Sequence, residues 1–166
     1  MNRVIDVKAV PVGTIVEPIT LAQAKTYLRV TDDMQDALIT MMIKASREAI
    51  EKVTGLSLIP VTVTAILCNP SGGIELPIAP QTSTPTGTGL VFEGLDYKNL
   101  VTETESVTLT YNAGYAVGTV PMDLLFAVYD QIAFMFENRG DGYDVSSVCE
   151  KAWRTCIRYT RQPLFV

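Results

Sequence analysis

The chain has 166 residues, 48% hydrophobic and 19% charged, with a net charge of −5 at neutral pH; that length suits one domain with a real core, and 1–166 is expected to fold as one. The acidic balance disfavours a general phosphate-binding surface, and no apolar run approaches the ~20 residues of a membrane span. Histidine is absent, which removes the Ser-His and Cys-His nucleophiles and the common histidine zinc sites in one step.

Residues 3–10, Arg-Val-Ile-Asp-Val-Lys-Ala-Val, read as a strand or an extended arm, and Pro11, Gly13 and Pro18 separate them from the next element. The start lacks the apolar core of a secretion signal. Three cysteines without a Cys-x-x-Cys pair point to reduced thiols in a cytoplasmic setting. Thr20 and Gln23 form a capping-box pattern, so a short helix is expected from Leu21 to Leu28. After a joint at 29–33, Asp32 with Gln35 repeats the start signal. Asp32, Asp33 and Asp36 suit the positive end of a helix dipole, and Gly55 is placed to end a helix of roughly 20 residues.

Projected at 100° per residue, that helix puts Leu38, Met41, Met42, Ala45, Ala49 and Val53 on one stripe and Ile39, Ile43 and Ile50 on a second beside it. The two cover roughly 200°, more than one core uses. Either other parts of the chain or a neighbouring subunit covers the second stripe.

Between Leu56 and Leu67, Val61, Val63 and Ala65 alternate with Thr62, Thr64 and Ile66, the period of a half-buried strand. Residues 74–76, 90–92 and 107–111 supply further short strands, with Val107, Leu109 and Tyr111 on one face. Pro80 to Gly89 is expected to be a loop without apolar anchors. Pro121 suits the first position of a helix running to Asn138, charged only at Asp130 and Glu137 from Leu124 onward. Such a helix should be buried nearly all round, in the core or at a subunit interface. Phe126 and Phe134 of this helix, with Ile39, Ile43 and Ile50, are therefore the candidate interface residues.

A last helix is expected over 146–160, with Val148, Cys149, Ala152, Trp153, Cys156 and Tyr159 opposite Lys151, Arg154 and Arg158. From Glu150 onward four cations oppose one acid, which leaves −8 on residues 1–149. The end, from Gln162, is mostly apolar and needs a place to dock. The carboxylate pairs Asp32/Asp33 and Asp141/Asp144 read as a helix cap and a solvated loop rather than acid–base machinery. Phosphate-binding glycine motifs are missing. The reading is of no enzyme, no metal and no cofactor. The fold class is α+β, mainly helical: a small bundle of about four helices with a small antiparallel sheet inserted between helices 2 and 3.

The order and spacing of Glu17-Pro-Ile-Thr-Leu-Ala-Gln-Ala-Lys-Thr-Tyr-Leu-Arg29, the Asp-Asp joint, Glu51-Lys-Val-Thr-Gly-Leu56, Ile74-Glu-Leu-Pro77, Val107-Thr-Leu-Thr-Tyr-Asn-Ala-Gly-Tyr115, Val120-Pro121 and Phe136-Glu-Asn-Arg139 resemble the head-tail connector (adaptor, head-completion) family of long-tailed phages. The resemblance implies a virion protein at the head–tail interface, present in the host cytoplasm during assembly. It implies a homo-oligomeric ring of about a dozen copies under the portal protein. The ring would extend the DNA channel without binding DNA specifically and offer a platform to the next connector, a stopper, or the tail, with no membrane involved. Arg154, Arg158, Arg161, Leu164, Phe165 and Val166 are the candidate portal-docking residues, within a tail counted from 157 to 166: the cations steer and the apolar end anchors. Two other readings are a tail-completion protein and a DNA-binding packaging subunit using 21–55 as a helix-turn-helix. Against the latter, the second helix is long and begins with acids.

Overall fold

The computed structural model describes residues 3–68, 74–86, 91–93, 99–101, 106–139 and 148–160. Along them run β1 (Arg3–Pro11), α1 (Leu21–Leu28), α2 (Asp36–Thr54), β2 (Val61–Cys68), β3 (Ile74–Glu75), β4 (Val91–Glu93), β5 (Asn99–Val101), β6 (Ser106–Ala113), α3 (Met122–Glu137) and α4 (Glu150–Cys156). The fold is α+β, with four helices and the β region between α2 and α3 joined by the N-terminal β1. Two compact units emerge, one drawn from residues 1–15 and 55–116, the other from Val16–Thr54 and Val117–Thr160. No helix of the described residues is long and apolar enough to cross a membrane.

The first unit contains two antiparallel sheets, in the orders β1-β2-β6 and β3-β5-β4. In β2 the expected alternation appears: Val61, Val63, Ala65 and Leu67 point inward while Thr64 is exposed. The ladder begins at Val61, the first residue of that alternation. Pro60 has no N–H to give, and its carbonyl accepts instead from Val12 N at 3.0 Å. Inward residues of β2 and β6 meet Ile74, Leu76 and Leu100 in one apolar cluster. The short β5 has no period to betray it in the sequence.

The loop expected from Pro80 lies along β6 as far as Thr86. Gln81 bridges Ala113 and Thr86 bridges Thr110. Thr82 and Ser83 both donate N–H to the Asn112 carbonyl, and Ser83 Oγ accepts from Asn112 N at 2.8 Å. Its anchors are main-chain hydrogen bonds, which residue composition does not display. Residues 87–89 of that expected loop fall outside the described residues.

In the second unit, Thr20 and Gln23 close the capping box that begins α1. Arg29 ends it in the left-handed conformation, φ 57°, while Val30 N–H reaches back to the Lys25 carbonyl at 3.0 Å. Helix α2 starts at Asp36, later than the Asp32 cap predicts. Asp32 instead accepts from Met34 N at 3.0 Å, which spends its carboxylate on a turn. Lys25 then gathers Asp33 and Asp36 at 2.6 and 2.7 Å. Gly55 ends α2 at φ 69°, as its position in the sequence suggests.

Pro121 caps α3 rather than occupying its first turn. The buried face of α3 is one stripe, Leu124, Ala127, Val128, Gln131, Ile132 and Met135, and the rest is partly or fully exposed. Burial nearly all round is therefore not what this helix has. Helix α4 is seven residues long, shorter than the span expected, of which 146 and 147 fall outside the described residues. Cys149 N–H donates to the buried Gln131 Oε1 at 2.7 Å, which docks the start of α4 on α3.

Candidate interaction surface

Helix α2 turns one side inward. Ile39, Ile43 and Ile50 are 0, 2 and 0% exposed, and Ser46 Oγ on the same side donates to Met135 Sδ of α3 at 3.3 Å. The stripe that the sequence offers to a neighbour is thus the chain's own interior. The stripe beside it is divided: Met42 and Ala49 are buried with the isoleucines, Leu38 and Ala45 are half-buried, and Met41 is 63% exposed, with Met34 just before the helix at 93%. Methionines fit irregular surfaces because their side chains are unbranched and polarizable.

Arg47 leaves this helix on a third side and is itself buried. Its Nε and Nη2 hold both oxygens of Glu17 at 2.8 and 3.3 Å, and Nη1 reaches Glu51 at 2.6 Å. Burial alone would lower the pKa of the guanidinium, but the two carboxylates outweigh it and raise the pKa above its ordinary value. The clamp ties the segment before α1 to α2.

Helix α3 has its own open side. Phe126 is 52% and Met122 64% exposed, and both project about 160–200° from Leu124 on the buried stripe. Phe126 tilts against Tyr129 with ring centroids 6.1 Å apart, and Tyr129 stacks on Tyr27 of α1 at 4.9 Å. Tyr27 OH donates to Asp130 Oδ1 at 2.7 Å, and Lys151 Nζ of α4 meets the same oxygen at 2.6 Å. One carboxylate therefore joins three helices. Partial burial, then Asp130, pushes the Tyr27 phenol above its ordinary pKa, while the hydrogen bond to Asp130 keeps Lys151 more firmly protonated.

Below this cluster, α1, α3 and α4 enclose an open groove of about 950 Å³, with Tyr27, Leu28, Phe134 and Phe136 among its lining and Arg29, Glu137 and Arg154 at charged positions. Among the described residues no cluster of carboxylates and cysteines has the geometry to hold a metal. Apolar and aromatic side chains on this surface are bordered by charges of both signs.

Of the candidate interface residues, Phe126 is thus open, Phe134 half-buried in the groove wall, and Ile39, Ile43 and Ile50 interior. Of the candidate docking residues, Arg154 pairs with Glu150 at 2.6 Å and Arg158 with Asp123 at 3.6 Å, both largely exposed. Arg161, Leu164, Phe165 and Val166 lie outside the described residues, as do Asp141 and Asp144. Sequence reasoning passed over Met34, Met122, Tyr27 and Asp130. The first two lie at or beyond helix ends, where periodicity fades, and the tyrosine–carboxylate bond joins residues 103 positions apart.

No curated protein matches the chain. Chains in three solved structures are similar to it over 95% of its length and 97% of theirs. They are from the neck of an empty GTA particle computed with C6 symmetry (TM-score 0.71, 19% identity), the virion of a native gene transfer agent particle (0.70, 19%), and the neck of a native GTA particle computed with C12 symmetry (0.64, 20%). At such identity these likenesses speak to the fold. A family model described as phage gp6-like head-tail connector protein matches residues 18–113, more than half of the sequence, and the chain belongs to that family of structural connectors rather than to any family of enzymes.

Proposed function

We propose that this connector assembles in the virion neck as a ring of about a dozen copies, beneath the portal protein and above the next connector or the tail. On this reading it extends the DNA channel, enters the virion from the host cytoplasm, and contacts DNA without sequence preference. The observation that carries the proposal is the likeness of the whole chain, not the matched family segment alone, to a component of particle necks computed with C6 and C12 symmetry. The net charge of −5 also supports it, because a channel wall of like charge lets DNA slide without sticking. The packaging-subunit reading gains nothing: Asp32, Asp33 and Asp36 stand at the start of α2, where bases would have to be met.

The C-terminal segment is proposed to dock on the portal. Because Tyr159 OH bonds both oxygens of Asp123 at 2.7 and 2.8 Å, the chain through Thr160 belongs with the helices. The proposed docking residues are Arg154 and Arg158 on α4 and Arg161, Leu164, Phe165 and Val166 after it, and deletion of 161–166 removes four of them while sparing the Tyr159 contact. The test is native mass measurement of the purified protein alone and with the portal of its phage. A species on the order of 200 kDa, or one seen only with the portal, is expected for a closed ring. A chain that stays monomeric with portal present overturns the reading, and normal portal attachment after deletion of 161–166 overturns the docking assignment.

A further inference from the structure

The sheet β1-β2-β6 ends at β1 on one side and at β6 on the other. Beyond the end of β6 lie residues 81–86, bridged from Gln81 to Ala113 and from Thr86 to Thr110. Beyond β1 there is no strand among the described residues. That edge is nine residues long and carries Ile5 and Val10 at 54 and 48% exposed. A long edge with exposed β-branched residues invites a strand from another molecule.

The direction of its main-chain groups can be read from Val12, whose N–H donates to the carbonyl of Pro60, the residue before β2, at 3.0 Å. Val12 therefore turns toward β2. From Asp6 to Pro11 the register with β2 runs without a break, and successive residues of an antiparallel strand direct their N–H and C=O alternately to either side. Asp6, Lys8 and Val10 thus face β2, while Val7, Ala9 and Pro11 face out.

Most of those outward positions are closed. Val7 N–H donates to Asp6 Oδ1 at 2.9 Å, and Pro11 has no N–H. Ahead of them, the register shifts between Val4 and Asp6, where a bulge bends the strand away from a straight partner. From Val7 to Pro11 the Ala9 N–H is the outward donor left for a newcomer. An incoming strand would have to displace a carboxylate from Val7, and hydrogen bonds to an ionised group are among the stronger ones. At Pro11 its carbonyl would meet a ring with no donor. We infer that Asp6 and Pro11 close the edge of β1 to strand addition, so that the sheet ends there and a second copy of this chain cannot extend it.

The test is the full chain carrying Asp6→Ala and Pro11→Val together, both at exposed positions, which gives the edge an unbroken row of outward donors. Asp6→Ala alone and Asp6→Asn are its companions; the asparagine oxygen still accepts from Val7 N–H although the charge is gone. Unchanged far-UV circular dichroism checks folding, and sedimentation without portal is read against wild type together with amide exchange over 6–12. The double variant is expected to associate beyond wild type and to slow exchange over 6–12 by roughly tenfold or more. Asp6→Ala should move both readouts the same way by less, and Asp6→Asn should match wild type. A double variant with the size and exchange of wild type overturns the inference, as does association that leaves exchange over 6–12 unchanged. Equal association by Asp6→Asn and Asp6→Ala assigns the effect to charge and overturns the role given to the hydrogen bond.

Discussion

Gly114 is where β6 turns away from its neighbours. Its φ of 99° suits glycine, and a Cβ there would lie 2.0 Å from the Ile59 carbonyl oxygen. Its own N–H donates to the Pro80 carbonyl at 2.9 Å, so the backbone cannot shift without loss. Gly114→Ala is expected to cost about 3 kcal/mol or more, read as a lower denaturation midpoint. A second prediction concerns acid. The hydrogen bond from Lys25 holds the Asp33 carboxyl below the ordinary carboxylate pKa. A carboxyl with a depressed folded pKa adds stability above its unfolded value, and that stability is lost as pH falls through the folded value. Asp33→Asn is therefore expected to lower stability modestly at neutral pH and change little in acid, so that the loss of stability below about pH 4 flattens, measured by urea titration from neutral pH across that window.

Elements here owe their positions to a few directional contacts more than to their own lengths. Helix α4 has seven residues, too few to persist alone. It is fastened at one end by Cys149 N–H on Gln131 and at the other by Tyr159 on Asp123, with Ala152 and Cys156 buried between. Tyr159→Phe is expected to cost about 1 kcal/mol and to speed hydrogen exchange across 150–160 with little change in α2. Uniform exchange across the unit would mean that α4 opens only with the rest.

The same reasoning accounts for Cys156. Burial pushes its thiol up to about 11, and alkylation of the native chain should spare it. Much of this level was open to sequence reading. The capping box at Thr20 and the stop at Gly55 are local, since the groups that form them are neighbours along the chain. The later start of α2 was not, because Asp32 accepts from Met34 N in a turn instead of capping the helix. Nor was the tie between 81–86 and β6, which rests on main-chain groups common to every residue.

For the whole molecule, the acidic balance carries the prediction. With a net charge of −5, the protein is expected to show no salt-sensitive binding of duplex DNA at physiological ionic strength, measured by fluorescence anisotropy. A salt-dependent affinity in the micromolar range would return weight to the packaging-subunit reading.

Features legible in the chain alone were mostly local or periodic: the α1 cap, the alternation of β2 and β6, the α+β class, and the order of motifs that marks the connector family. Each depends on residues a few positions apart, where backbone geometry dictates who meets whom. How far the buried side of α2 extends from the isoleucine stripe into the other was left to packing: Met42 and Ala49 are inside and Met41 is not. Both stripes have the same chemistry, and the choice belongs to α3, whose Met135 receives Ser46 from 89 positions away. The same holds for the outward face of Phe126 and for Asp130, whose partners Tyr27 and Lys151 come from different helices. Contacts between distant segments leave no period in the chain, so which side chains stay at the surface becomes visible only once the helices have packed.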